Sequence, residues 1–297
     1  MWYTSSFYPQ QFYAFRSISI TGNSCSLGCK HCEGKVLRTM IPIKTPEELM
    51  LVCKKLADQG CRGCLISGGC LPDGSMPLDT FLPTISLVKR ELGFKVFVHT
   101  GIIRKEMAFK LAEAGVDAAL IDVLGSDETI REIYRLDVDI RDYDSSLDAL
   151  KASGIPFIPH VVVGLHYGRI LGEFNALRMI SKHHPNGLVI IAFFPLRRTS
   201  MEGVIPSSPE DIARVLAEAR LMLPRTPMAL GCMRPRGRHR VSTDILAVET
   251  GVNAIAFPED EAVKYAKAIG LETYFHASCC AQMWEDLIKG RIYRGMP

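Results

Sequence analysis

Short apolar runs alternate with longer segments whose apolar residues recur at helical spacing, nearly from one end of the chain to the other. Residues 17–21 read as the first strand. A helix over 46–59 follows, announced by Thr45 and by Glu48 three residues later, which is the reciprocal capping pattern. Its apolar positions Leu49, Val52, Cys53, Leu56 and Ala57 fall on one face, and Gly60 ends it. Further strands are expected over 64–67, 95–99, 118–122, 157–163, 188–193, 228–232 and 254–257. Helices are expected over 78–92, 103–114, 142–153, 170–182, 208–222, 242–250 and 259–269, and Ser208, Pro209 and Asp211 repeat the start signal. Strands this uniformly apolar are buried on both faces, as in a parallel sheet flanked by helices. Eight such units are the number that closes a (β/α)8 TIM-type barrel. No Pro/Gly/Ser-rich linker divides the chain, so 1–297 reads as one barrel domain with a core over 15–270, an N-terminal extension and a cysteine-containing tail.

With 47% hydrophobic and 23% charged residues in 297, the chain can bury a large core. A net charge of +3 points to neither a nucleic-acid nor a membrane partner. The longest clean apolar run, 188–195, falls far short of the ~20 residues of a membrane span. The opening Met1-Trp2-Tyr3-Thr4 lacks the basic and apolar parts of a leader, so a cytoplasmic location is expected. Ten cysteines then call for an explanation, because disulfides are rare in a reducing compartment. Cys25, Cys29 and Cys32 form one tight group, Cys61, Cys64 and Cys70 a second, and Cys279-Cys280 a third. Cys53 and Cys232 stand apart, and Cys53 reads as a core residue.

Barrel chemistry sits at the C-terminal ends of the strands and in the loops that follow. Those loops hold 25–32, 67–70, 99–101, Asp122, 164–168, 195–201 and 232–235, so the polar and sulfur-bearing residues collect on one rim. The loop after the first strand carries C-x3-C-x2-C at Cys25, Cys29 and Cys32. Three thiolates take three corners of an iron–sulfur cubane and leave one iron open to a ligand, whereas four close it. The competing reading is a zinc site completed by His31, but structural zinc draws on two separated ligand pairs. Cys61 and Cys64 lie at the far end of a strand from Cys70, too distant to share a cluster with it. Arg197, Arg198, Arg234, Arg236 and Arg238 on rim loops either bind an acidic group or are solvated.

This loop, in this place, resembles the signature of the radical S-adenosylmethionine (SAM) superfamily. The resemblance implies a [4Fe–4S] cluster on Cys25, Cys29 and Cys32 whose open iron chelates SAM. One electron, from a low-potential donor such as ferredoxin or flavodoxin, then cleaves SAM to methionine and a 5′-deoxyadenosyl radical that abstracts hydrogen. Ser67-Gly68-Gly69-Cys70 resembles the family's Gly-Gly-Glu motif, which binds the SAM amino group, with a cysteine replacing the glutamate. Asp122 stands where the family has a polar ribose contact, while Gly164 and His31 stand beside the expected adenine.

Over its length the chain is similar to the biotin-synthase-related branch. Ser19-Ile20-Thr21-Gly22, His99-Thr100-Gly101, Pro159-His160, residues 230–237 and Cys279-Cys280 resemble archaeal-type biotin synthase homologues. One member of that group is a component of a two-protein lipoyl synthase. That likeness implies sulfur insertion into a protein-bound octanoyl chain, with a second radical SAM protein and an octanoylated carrier as partners. The N-terminal C-x4-C-x5-C motif of ordinary lipoyl synthases is absent. A second iron–sulfur cluster would then draw on Cys279 and Cys280, from a tail folded over the rim, with Cys70 and Cys232 as the catalytic candidates beside it. Two other readings compete. One is radical SAM rearrangement or methylation of a small metabolite, and the other is a non-catalytic iron–sulfur or zinc scaffold.

Overall fold

A computed structural model of the chain describes residues 2–3 and 15–288. Except for Trp2 and Tyr3, the N-terminal extension lies outside the described residues, as does the end of the tail over 289–297. The strands are β1 (Trp2–Tyr3), β2 (Phe15–Ser19), β3 (Ile41–Pro42), β4 (Gly63–Ser67), β5 (Lys95–His99), β6 (Ala118–Asp122), β7 (Phe157–Val163), β8 (Leu188–Ala192), β9 (Met228–Leu230), β10 (Ala254–Ala256) and β11 (Phe275–His276). Every described pair is parallel, in the order β11-β1-β10-β9-β8-β7-β6-β5-β4-β2-β3.

The eight principal strands, β2 and β4 to β10, are the eight expected, and helices separate them. These are α1 (Pro46–Asp58), α2 (Leu82–Leu92), α3 (Lys105–Glu113), α4 (Asp127–Thr129), α5 (Ile140–Ser153), α6 (Glu173–His183), α7 (Pro209–Met222), α8 (Arg238–Glu249), α9 (Asp260–Ala268) and α10 (Met283–Ile288). Thr45 and Glu48 make the expected reciprocal cap at α1. Ser208 caps α7 by accepting from Asp211 N.

Alternate residues along each strand enter two different cores. Val96, Val98, Ala119, Ile121, Val161 and Val163 pack outward against the helices. Phe97, Leu120, Ile158, Val189, Ala229 and Ala254 pack with Phe15 in a separate inner core. A single inner core that draws on β2 and on β5 to β10 requires the sheet to wrap around it, which is the TIM-type arrangement. Among the described residues, no backbone pairing joins β3 to β11, so the wrapped sheet keeps a seam.

The C-terminal segment corrects one expectation. It does not fold over the rim. After β11 the chain turns into the barrel, where Cys280, Ala281 and Met283 join the inner core and Cys279 and Trp284 pack against it. Glu285 reaches the base of β5, where its Oε1 accepts from Lys95 Nζ at 2.6 Å. The tail is apolar where it meets Phe97, Ile158 and Val189, so burying it there is favoured over laying it on a solvated rim. No described helix is long and apolar enough to cross a membrane.

Candidate functional site

The loop between β2 and β3 is held from several sides. Gly22 and Gly28 adopt left-handed backbone at φ 59 and 56, which lets the loop turn tightly. Lys30 N donates to Ile133 O at 2.8 Å, and Cys29 Sγ lies 3.6 Å from Tyr134 O. Lys30 Nζ reaches Tyr167 Oη at 2.7 Å, and that hydroxyl donates to Glu132 Oε1 at 2.7 Å. Ser200 N donates to Glu33 at 2.8 Å, so the loop after β8 clamps the far side.

Cys29 is buried, and Cys25 and Cys32 are half-buried. Cys29 and Cys32 share a hydrogen bond, which moves the two thiols in opposite directions. That bond, and then burial, push Cys29 up. It pulls Cys32 down against burial, with a hydrogen bond from His31 adding to the effect. His31 lies against Tyr134 with ring centroids 5.2 Å apart, and its buried Nδ1 has no partner among the described residues. A metal cluster takes thiolates, and this loop presents three thiols. Among the described residues, these sulfurs are not gathered within 4.8 Å of one another.

The β4 loop abuts this one. Ser26 N donates to Cys70 O at 3.0 Å, and Gly69 N donates to Thr21 Oγ1 at 2.7 Å. A Cβ on Gly69 would stand 2.0 Å from Ser24 O and 2.5 Å from Cys25 Cα, so only glycine allows the approach. Burial, and then the charges of Cys25 and Asp122, push the Cys70 thiol up to about 12. Asp122 therefore lies within electrostatic reach of Cys70. One layer below, Ser67 Oγ and His99 Nδ1 lie 3.2 Å apart, and the His99 and His160 rings meet edge-on at 5.6 Å. Burial lowers both imidazoles, and His160, with His99 beside it, falls to about 4. Both are neutral at pH 7.

Gly164 is brought to the same rim, but its open side is filled by Ser207, whose Oγ would lie 2.2 Å from a Cβ there. Its N–H donates to Glu173 Oε1 at 2.7 Å, while the buried Oε2 is unpartnered among the described residues. Sequence reasoning missed Glu173; the available signal was an acidic residue opening α6 directly after Gly172.

Cys232 follows β9 and is open to solvent on one side but otherwise surrounded by protein. That surrounding, and then Cys280, push its thiol up to about 11. Cys279 hydrogen-bonds Cys280 and, with burial, raises it. Arg234 corrects another expectation: it is neither solvated nor free for a ligand. Its Nε donates to Asp244 Oδ1 at 2.7 Å and its Nη2 to Oδ2 at 2.9 Å, with both side chains 0% exposed. Cys53, Cys61 and Cys64 are buried together at the other end of the barrel wall, apart from this site.

Comparison with known proteins agrees with this layout. The model of the Radical SAM superfamily matches residues 19–169. The chain is 24% identical to a biotin synthase of Allorhizobium ampelinum over 253 residues, covering 81% of this chain and 74% of that protein. It is 25% identical to a biotin synthase of Rickettsia felis over 278 residues, covering 86% and 83%. Methylornithine synthase has a similar fold, with TM-score 0.61 and 20% identity over 83% of this chain and 72% of that one. The matched segment runs from the last residue of β2, through the three-cysteine loop and the glycine turn of β4, to just past β7; by that match the chain is an enzyme of the radical SAM superfamily, and such an enzyme needs a reductant.

Proposed function

We propose that this enzyme inserts sulfur into an unactivated aliphatic chain, an octanoyl group borne by a carrier protein, as one component of a two-protein lipoyl synthase. Cys25, Cys29 and Cys32 hold the [4Fe–4S] cluster. Ser67, Gly68, Gly69, Asp122, Gly164 and His31 form the SAM site across the rim, and a ferredoxin or flavodoxin supplies the electron. When bound, the cluster and SAM supply reductive C–S cleavage and hydrogen abstraction. The protein's own part is placement. Gly69 lets the β4 loop lie against Cys25, and Asp122 offers a carboxylate to hydroxyl donors. His99 and His160 line the lumen without charge, and the packed apolar inner core beneath them excludes water.

The sulfur reading is carried by one observation: Cys280, with Cys279 hydrogen-bonded to it, lies in the inner core within electrostatic reach of Cys232. Three soft ligands there support a second iron–sulfur centre as the sulfur source. Similarity to biotin synthases, whose product contains sulfur, points the same way. The test is anaerobic reconstitution with iron and sulfide quantitation. Iron per chain should approach twice that of one cubane, and Cys279→Ala/Cys280→Ala should reduce it to one, with SAM cleavage retained. A single cubane's iron in the wild type, with product formed normally by the double variant, would sink the reading.

A further inference from the structure

The loop after β4 ends in a thiol where the family resemblance leads one to expect a carboxylate, and its backbone is pressed against the cysteine loop. A Cβ on Gly69 would stand 2.5 Å from Cys25 Cα and 2.6 Å from Cys25 Cβ. Two hydrogen bonds, Gly69 N to Thr21 Oγ1 at 2.7 Å and Ser26 N to Cys70 O at 3.0 Å, fix that approach. Cys25, Cys32 and Cys70 are half-buried and Cys29 is buried. A fourth sulfur is thus fastened to the wall that carries the other three. We infer that Cys70 is the fourth ligand of the cluster when SAM is absent, closing the iron that Cys25, Cys29 and Cys32 leave open, and that SAM enters by displacing it.

Four thiolates are the ordinary complete set for a cubane, and a soft thiolate suits its iron. The exchange balances without electron transfer. Cys70 gives up its bond to iron while the amino nitrogen and carboxylate of SAM take up theirs. The proton that the SAM ammonium must lose passes to the departing Cys70 sulfur, which leaves as a thiol. Between turnovers Cys70 caps the iron against solvent and oxidants. The inference rests on Cys25, Cys29 and Cys32 being the cluster ligands and is independent of sulfur insertion.

The test uses the reconstituted full-length chain without SAM, carrying Cys279→Ala/Cys280→Ala so that only the first centre is observed. Ferricyanide oxidation is followed by electron paramagnetic resonance of the three-iron product that forms when an open iron is lost. Protein with Cys70 intact should yield several-fold less of that product than protein with Cys70→Ala. Adding ethanethiol to the Cys70→Ala protein should restore resistance. Adding SAM to dithionite-reduced protein should shift the spectrum of the Cys70 form as the sulfur leaves. Rapid loss of iron by the protein that retains Cys70 overturns the inference, and it does so even if Cys70→Ala fails to fold. Failure of the sulfur-insertion reading would appear instead as unchanged iron content in Cys279→Ala/Cys280→Ala, with the ferricyanide result intact.

Discussion

The Arg234–Asp244 pair offers a perturbation whose size can be worked from its surroundings. Both side chains are 0% exposed. The guanidinium makes two bonds to the carboxylate, one to Gly231 O at 2.6 Å and one to Phe257 O at 3.1 Å. Asp244 Oδ2 also accepts from Glu259 N at 3.0 Å, so the pair joins the loop after β9, which bears Cys232, to the loop after β10. Arg234→Met leaves a buried carboxylate with backbone donors only, and strands two carbonyls. Removing one partner of such a pair costs about 3–5 kcal/mol. Replacing both by apolar residues of similar size costs far less, because no charge is then left in the interior. Arg234→Met/Asp244→Leu should therefore be more stable than either single variant, with a coupling energy of about 2–3 kcal/mol. The assay is urea unfolding of the apoprotein, read by tryptophan fluorescence, with the slope required to stay constant across the four proteins. A double variant no more stable than the worse single one would refute the reasoning.

Two further outcomes follow from the site. Gly69→Ala should lower iron incorporation sharply, because the new Cβ meets Ser24 O at 2.0 Å and backbone cannot yield there; Gly203→Ala, with nothing within 4 Å, is the neutral control, and iron measured after identical reconstitution decides between them. His160 is held down to about 4, chiefly by burial, whereas in the unfolded chain it titrates near 6.5. Above pH 6.5 it is neutral in both states and has no effect. Between pH 6.5 and 4 the unfolded chain binds a proton that the folded one does not, so stability falls by at most roughly 3 kcal/mol. His160→Gln should flatten that part of the apoprotein's stability profile, and an unflattened profile would remove the explanation.

All eight principal strands were legible in the sequence because each is a short apolar run bounded by polar or glycine residues. The first was placed two residues late, since Gly22 N turns back to Ser19 O and ends β2 before the apolar pattern does. The paired β1, β3 and β11 have two residues each, too few to show any period. The cysteine loop was legible from spacing alone. The burial of Arg234 was not, because its partner Asp244 lies beyond Gly237 on α8, and no spacing rule links a loop to the next helix at that distance. The tail's entry into the barrel was likewise hidden: Cys279 and Cys280 carry no periodic signal, and the apolar inner core they meet is a property of the assembled sheet.

The clamps on the cysteine loop have a consequence for the order of folding. Cys29 meets Tyr134 across 105 residues, Lys30 meets Glu132 and Tyr167 across 102 and 137, and Glu33 meets Ser200 across 167. Contacts that distant along the chain form late, since their loops must close before any of them is made. A growing chain therefore displays its three thiols well before the segments that grip them exist. During that interval the loop lies open, and the later units close around it only as the barrel is completed.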